Sequence, residues 1–295
     1  MEISKQKIKE LQVGFSAIYR TGWGATEPKL EGLSTRVPST TRTNTYGWMA
    51  RLLKMRKWDG PRLLQNLNTH AYTLENEPYE LTVKVPARDI RDDQLGVYNP
   101  LFDELGRQSK KWPDQVLKTV LQGGTTNLGF DGVAFFASTH PLNPAGNQAN
   151  NFTGTALSAT NFGVVRAAMA SFTGEDGEPL GVNGNVLVVP PALEDLANTI
   201  VTAEFGASGA SNVQRGQARV VVVPELANQA TTWYLFDDNH AIKALVWQLR
   251  QAPNLVSKTK VDDDNVFFDG EFIWGVDGEG VGGYGPWFLG ARAIA

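Results

Sequence analysis

Residues 99–124 read NPLFDELGRQSKKWPDQVLKTVLQGG and carry the longest helical pattern in this chain of 295 residues. Apolar side chains recur near helical spacing, and Gly123-Gly124 supply a C-terminal stop. Pro113 lacks an N–H to donate and is expected to kink the helix or split it in two. About 23 helical residues would span about 35 Å, so we predict a spine for a flat domain. The predicted apolar stripe comprises Leu101, Leu105, Trp112, Val116 and Val120, with Phe102, Leu117 and Leu121 beside them.

Two extended legs precede this helix. In residues 77–86, Tyr79, Leu81 and Val83 alternate with polar side chains, which predicts a strand with one polar face. Together with the outgoing stretch TRTNTYGWMARL, this pattern makes residues 38–86 a two-legged projection. The projection holds too little aliphatic material for a core of its own, so we expect it to lie on another surface.

The legs are joined by TYGWMARLLKMRKWDGPR, residues 45–62, which we call the basic–aromatic segment. Its five lysines and arginines face a single acid, Asp59, and aromatic residues are set among them. Nucleic acid is one candidate partner, because bases stack on aromatic rings and cations neutralise phosphates. Another protein subunit is the second, because Trp, Tyr and Arg dominate interface energetics. The net charge of −4 argues against a dedicated nucleic-acid binder.

The remaining patterns outline the domain organisation. Residues 3–20 predict an amphipathic helix, and a long polar segment without periodicity follows it. Strands alternating with helices predict an α/β lobe over residues 156–244. Beyond it, aromatic-rich strands return to close a sheet. The chain has no cysteine, no signal-like N-terminus and no apolar run of about 18 residues, so we expect a soluble, intracellular protein without thiol chemistry.

A search for reactive side chains finds no catalytic, cofactor or metal site. His70, His140 and His240 share no metal-binding spacing and are interpreted as surface or capping residues. The acids of VDDDN predict a solvated turn, and GVDGEGVGGYG predicts a hairpin turn rather than a phosphate loop. The pairs Asp237-Asp238 and Glu194-Asp195 are interpreted as cap or surface acids.

Stretches along nearly the whole chain, in order, resemble the Mu-like bacteriophage major head subunit, gpT. They are PSTTRTNTYGWM, KMRKWDGPR, YTLENEPYELTVKVPARDIRDDQLGVYNPLFDELG, PDQVLKTVLQGG, DGVAFFASTHP and FDGEFIWGVDGEGVGGYGPWFLGARA. The resemblance implies an α+β chain with the Hong Kong phage-type major capsid fold. The implied parts are an N-terminal arm (1–37), an extended loop (38–90), a peripheral domain with the spine helix (91–155 and 245–295) and an axial domain (156–244).

On this resemblance the chain is a major capsid protein that self-assembles into an icosahedral phage head enclosing double-stranded DNA. The extended loop would then lie across a neighbouring subunit and meet acids there. The implied intersubunit contact residues are Arg42, Trp48, Arg51, Arg56, Trp58, Asp59, Arg62, Glu77, Asp92 and Asp93. Glu75 and Asp89 are further candidate counterparts for the basic side chains.

The implied partners are copies of the chain in hexamers and pentamers, a separate scaffold protein, decoration or portal proteins, and packaged DNA bound nonspecifically. No membrane and no cofactor are implied. The protein would be made in the host bacterial cytoplasm and reside in the virion capsid. Two alternatives remain open at this point: an encapsulin-like compartment shell, and a β-rich carbohydrate-active enzyme, against which the missing acid/base signature argues.

Overall fold

The computed structural model describes residues 5–49, 69–92, 95–142, 146–174, 177–206, 209–260 and 262–295. Helices and strands are mixed along the chain. The helices are α1 (Lys5–Gly24), α2 (Ala87–Arg91), α3 (Asn99–Gly123), α4 (Ala159–Ala170), α5 (Glu194–Thr202) and α6 (Asp264–Phe268). The strands are β1 (Ser34–Pro38), β2 (Thr43–Met49), β3 (Thr69–Glu75), β4 (Glu77–Pro86), β5 (His140–Leu142), β6 (Gly146–Gln148), β7 (Asn151–Phe152), β8 (Val186–Val189), β9 (Arg219–Val222), β10 (Thr232–Phe236), β11 (Leu245–Lys258), β12 (Glu271–Tyr284) and β13 (Gly290–Ile294).

Two sheets organise these elements. The first has the strand order β1-β11-β12-β4, and its centre is the long antiparallel ribbon of β11 and β12. The second has the order β7-β13-β10-β8-β9. Its strands β8, β9 and β10 and the helices α4 and α5 confirm the α/β pattern predicted for residues 156–244. The last strand, β13, pairs with β10 and therefore belongs to this second sheet.

Helix α3 spans the predicted residues, and most of its predicted apolar side chains are buried. Leu101 is the exception at 40% exposed, and Val116 and Val120 are only partly buried. The helix also continues through Pro113, so the predicted split is wrong. Both halves of α3 are held by packing, against α1 and against β12, which outweighs one lost hydrogen bond. The buried side chains of α3 include Phe102, Leu105, Ser109, Trp112, Leu117 and Leu121.

The glycine-rich stretch GVDGEGVGGYG lies inside strand β12, so the predicted hairpin turn is wrong. A Cβ on Gly278 would lie 3.0 Å from the ring of Trp112, and one on Gly282 would lie 2.7 Å from Val120. Glycine is needed here because side chains of α3 occupy the space where a Cβ would be. The glycines therefore permit close packing of the spine helix on its sheet.

Helix α1, confirmed close to its predicted position, packs on the opposite end of α3 through a second close approach. A Cβ on Gly106 would lie 2.1 Å from the carbonyl oxygen of Tyr19, and one on Gly22 would lie 2.0 Å from that of Asp103. The rings of Phe15 and Phe102 stack with centroids 3.9 Å apart. Backbone-to-backbone contact at two glycines fixes α1 on the spine helix.

The polar segment after α1, which showed no periodicity, is fixed by one buried carboxylate. Asp114 of α3 accepts backbone N–H groups from Lys29, Leu30 and Glu31 at 2.5 to 2.9 Å. Burial raises the pKa of the Asp114 carboxyl, and the three N–H donors oppose that rise. The chain then enters β1, which pairs in parallel with β11. The end of this segment is thus part of the sheet, and Leu30 and Leu33 ahead of it are buried, although the sequence shows no periodicity there.

The histidines do not all lie where the sequence interpretation placed them. His140 is fully buried: its Nδ1 lies 2.6 Å from a carboxylate oxygen of Asp131, and its Nε2 lies 3.1 Å from the amide oxygen of Asn150. Its ring stacks on Trp287 at 4.0 Å. A surface or capping role is therefore wrong for His140, because these partners supply the polar contacts that a buried imidazole requires. His240 is partly exposed beside Asp237 at 3.4 Å.

The interpretation of the acidic residues as cap or surface groups is confirmed for some of them and wrong for others. Glu194 and Asp195 lie in the first turn of α5, as interpreted. Asp237, however, is buried and accepts the backbone N–H of Asn183 at 2.7 Å. Asp262 and Asp264 are exposed, in agreement with a solvated turn, but the following residues NVFF form α6 instead of the expected strand.

The close packing on β12 predicts the effect of an added methyl group. In Gly280→Ala the Cβ would lie 2.7 Å from the carbonyl oxygen of Gln248 and 3.1 Å from the ring of Trp247. Because β11 must shift to relieve this clash, we expect a loss of about 1–3 kcal/mol in the free energy of unfolding. Urea denaturation of the isolated subunit, followed by tryptophan fluorescence, measures it.

The matched control is Gly275→Ala in the same strand, where the nearest atom, Thr82 Oγ1, lies at 3.4 Å. This is an ordinary contact, so we expect a change within about 0.5 kcal/mol. Equal unfolding midpoints for the two variants would contradict the packing account.

Candidate assembly surfaces

The base of the predicted projection is an antiparallel hairpin. Strands β2 and β3 pair from Thr43 opposite Glu75 to Met49 opposite Thr69. This confirms two extended legs around the basic–aromatic segment for residues 43–49 and 69–75. The continuing strand β4 instead pairs with β12 and is one edge of the first sheet. The hairpin therefore projects from the sheet at residue 76, between β3 and β4.

A buried polar cluster lies at this branch point. Asn76 donates through Nδ2 to Ser39 Oγ at 2.9 Å and to the carbonyl oxygen of Thr41 at 2.8 Å. Its amide oxygen accepts from Gln248 Nε2 at 2.8 Å. The hydroxyl of Tyr46 in the hairpin donates to the other amide atom of Gln248, its Oε1. Gln248 is fully buried, so each of these hydrogen bonds is shielded from water.

The cluster joins the hairpin and the segment just before it to the ribbon of β11 and β12, which is distant in sequence. Two further contacts support it. The backbone N–H of Tyr284 donates to the hydroxyl of Tyr72 at 3.2 Å, and Leu74 packs over Gly283, where a Cβ would lie 2.6 Å from it. Hydrogen bonds have directional geometry, so this set fixes the orientation of the hairpin root on the sheet.

The predicted contact residues have different positions in the structure. Arg42 is paired within the chain, with its Nη2 2.7 Å from Glu75, and both side chains are largely exposed. Glu77 accepts from the hydroxyl of Tyr79 at 2.9 Å, and burial together with this carboxylate raises the pKa of Tyr79 to about 12. Asp92 is exposed at the end of α2. The structure thus gives Glu75 and Glu77 partners inside the subunit.

The remaining predicted contact residues lie wholly or partly outside the described part of the structure. Trp48 lies in β2 opposite His70, and the side chains of both are outside the described part of the structure. The basic–aromatic segment beyond Met49 is outside it as well. The predicted residues that lie outside the described ranges are Arg51, Arg56, Trp58, Asp59, Arg62 and Asp93.

Sequence reasoning missed an exposed aromatic pair. Phe267 and Phe268 of α6 are 74% and 75% exposed, and their rings contact edge to face with centroids 5.0 Å apart. The pattern had been interpreted as part of a strand, in which one of two adjacent aromatics would be buried. The signal available in the sequence was the pair of phenylalanines between acids at 262–264 and Asp269.

The described residues contain no group of three or more His, Cys, Asp and Glu arranged to hold a metal ion. Within the same ranges, none of the helices has the length and apolar character to cross a bilayer. What the described surface does offer is a hairpin held at its root, an open sheet edge at β4 and an exposed aromatic pair. These are features of protein–protein contact.

Comparisons with a family model and with individual proteins indicate the same family. The family described as Mu-like prophage major head subunit gpT matches residues 8–156, 152–226 and 225–293. The chain is 28% identical over 287 residues to the major capsid protein of Escherichia phage Mu, covering 97% of this chain and 73% of that protein. It is 26% identical over 292 residues to the Mu-like prophage FluMu major head subunit of Haemophilus influenzae, covering 99% and 74%.

Solved structures agree with the sequence relatives. The chain superposes on a chain of the procapsid of bacteriophage JBD30 with a TM-score of 0.64 and 27% sequence identity. The superposition covers 99% of this chain and 76% of that one. The superposed chain belongs to a phage procapsid and the sequence relatives are phage head proteins, so the two kinds of comparison agree.

The buried cluster at the hairpin root predicts a stability effect. Asn76→Leu would leave the buried Nε2 of Gln248 without its partner and would remove the hydrogen bonds to Ser39 and Thr41, so we expect a loss of about 1–3 kcal/mol in the free energy of unfolding. Thermal or urea unfolding of the subunit measures it. Asn254→Leu, at an exposed position of β11, is the control and should change stability by about 0.5 kcal/mol or less. A neutral effect of Asn76→Leu would show that the cluster does not fix the hairpin.

Proposed function

Since the chain belongs to the Mu-like prophage major head subunit gpT family, we propose that it self-assembles into an icosahedral phage head enclosing double-stranded DNA. It is a major capsid protein of a phage head and a structural protein, not an enzyme. The observation that carries the assembly proposal is the hairpin of β2 and β3. Its root is fixed on the sheet, and it leads into a basic, aromatic segment whose sequence holds too few aliphatic residues for a core.

The domain division that we propose is the one that the family resemblance implies. Residues 1–37 would form the N-terminal arm and 38–90 the extended loop; 91–155 with 245–295 would form the peripheral domain and 156–244 the axial domain. Four of the described strands cross these boundaries: β1 and β4 pair into the sheet of the peripheral domain, and β7 and β13 pair into that of the axial domain. The close contacts of α3 with β12 support its role as the spine helix.

The proposed intersubunit contacts lie on the extended loop. Trp48, Arg51, Arg56, Trp58 and Arg62 would lie across a neighbouring subunit, with Asp59 among them. Glu77, Asp92 and Asp93 would supply acids. Arg42, in contrast, pairs with Glu75 in its own subunit at an exposed position, where such a pair contributes about 0–1 kcal/mol. Many weak contacts per subunit suit a closed shell, because closure multiplies them.

The further partners are proposed from the family. Hexamers and pentamers of the chain would form the shell, with a scaffold protein during assembly, portal or decoration proteins on the finished head, and nonspecific contact with packaged DNA. Synthesis would occur in the bacterial host cytoplasm. The net charge of −4 supports a tolerance of DNA rather than strong binding. The relatives at 26–28% identity are phage head subunits, which favours a phage head over an encapsulin-like compartment.

A double substitution on the extended loop tests assembly. Trp58→Ala with Arg56→Glu should leave the subunit folded but reduce the yield of shells by about tenfold or more, because interface tryptophan and arginine anchors cost on the order of 2 kcal/mol when lost. Circular dichroism reports the fold. Electron microscopy of the protein co-expressed with its scaffold counts the shells.

The contrasting variant is Leu117→Asp in the spine helix. Leu117 is fully buried, so an unpaired charge there should prevent folding altogether. The two variants separate assembly from folding. If the loop variant unfolds, or builds shells as well as the wild type does, the proposed role of the extended loop is wrong.

A further inference from the structure

We propose that the aromatic–acidic tip around α6, residues 262–269, is the surface on which the basic–aromatic segment of a second copy of the chain docks. This inference rests on the proposed shell function and names the surface that receives the extended loop. The tip lies at the far end of the ribbon from the hairpin root. Its contact side chains are three aspartates and two phenylalanines: Asp262, Asp264, Asp269, Phe267 and Phe268.

The apolar part of the tip is exposed without a cover. Phe267 and Phe268 expose about three quarters of their surfaces, more than any other aromatic residue in the described ranges. Two adjacent exposed phenylalanines are costly in water and are typical of a contact surface. Their edge-to-face arrangement leaves ring faces free, and arginine and tryptophan side chains stack on such faces.

The exposure is imposed by the fold, because the loop that carries the tip is fixed. Asn265 is buried and donates through Nδ2 to the carbonyl oxygens of Lys258 at 3.0 Å and Glu271 at 2.6 Å, the ends of β11 and β12. Val266 packs against the core formed by α1, α3 and β12. With one side of α6 anchored in this way, the next two residues point away from the core.

The charges at the tip complement the basic–aromatic segment. Residues 258–269 contain four aspartates against Lys258 and Lys260. The start of α2 lies beside the tip, because the backbone N–H of Ala87 donates to the carbonyl oxygen of Gly270 at 2.8 Å. This neighbour adds Asp89 and Asp92 together with Arg88 and Arg91, so its own charges balance. The surface is acidic through the aspartates of residues 258–269, and residues 45–62 carry five basic side chains against one acid.

The geometry favours a contact between copies. The hairpin root contacts the ribbon at Gln248 and Tyr284, whereas the tip begins after Lys258. Ten residues of strand separate Gln248 from Lys258, or roughly 30 Å. A donor surface at one end of the subunit and an acceptor surface at the other form a head-to-tail contact, which closes into rings when repeated by rotation.

The absence of cysteine from the chain allows a direct test. One batch of subunits carries Phe268→Cys, and a second carries Lys57→Cys. The two are co-assembled with scaffold and treated with a short bis-maleimide crosslinker. We expect crosslinked dimers that contain one subunit of each kind, with a junction between positions 268 and 57 in mass spectrometry.

The matched control replaces Phe268→Cys by Phe205→Cys. Phe205 is also an exposed phenylalanine, at 58%, but it lies outside the tip. This pair should give crosslinks at least about tenfold below those of the tip, since a rigid linker reports only neighbouring positions. Equal crosslinking of positions 205 and 268 would overturn the proposal.

A charge-swap experiment gives an independent outcome. One variant reverses the tip (Asp262→Lys, Asp264→Lys, Asp269→Lys), and the other reverses the segment (Lys54→Glu, Arg56→Glu, Lys57→Glu). Each alone should lose shells, whereas a chain carrying both reversals should recover them, because each reversed segment then meets a reversed tip. Loss of shells in the chain with both reversals would overturn the proposal, and the crosslinking of mixed subunits distinguishes a contact between copies from one within a copy.

The results also separate this inference from the shell function on which it rests. Wild-type protein that forms no shells with scaffold would reject the proposed function. Normal shells from the tip-reversed variant would reject only the docking surface. A tip-reversed variant that does not fold would appear in circular dichroism, and the crosslinking result then decides, because Phe268→Cys alters only an exposed side chain.

Discussion

The close approach of α3 to the glycines of β12 is the constraint on which the other features depend. Trp112 occupies the space above Gly278, and its ring contacts Tyr79 of β4 and Trp247 of β11. One helix thereby holds three strands of the first sheet. Its other face receives α1 at Gly106, and Asp114 fixes the segment that leads into β1. The ribbon of β11 and β12, once held, positions both the hairpin root and the tip.

Much of this architecture follows from local sequence. The helices α1, α3, α4 and α5 have apolar residues at helical spacing, and the strands β8, β9 and β10 are short apolar runs, which are typical of buried strands. The spine helix was located correctly and most of its predicted apolar side chains are buried, but Leu101 is exposed. Which side of α3 is covered depends on β12 and α1, and close packing at Gly282 and Gly106 cannot be inferred from the helix alone.

The candidate site was less predictable for the same reason. The basic–aromatic segment is evident from its composition, but the residues that fix its root are Asn76 and Gln248, which look like ordinary surface amides in the sequence. Their burial arises from pairing between residues 172 positions apart. The exposed pair at Phe267 and Phe268 was missed because adjacent aromatics normally indicate a strand, and only the anchoring of Asn265 turns both outward. A long-range contact decides the first case and a side-chain anchor within one loop decides the second, and hydrophobic periodicity records neither.

The ribbon of β11 and β12 has a mechanical consequence for a closed head. In an antiparallel pair the interstrand hydrogen bonds run perpendicular to the strands, so a pull along the strands loads many bonds together in shear instead of opening them one at a time. In the proposed head, the tip at one end of this ribbon binds the segment of one neighbouring subunit. The hairpin rooted at the other end carries the segment that binds another. Outward pressure on the shell would then become tension along the strands, the direction in which the subunit is hardest to pull apart.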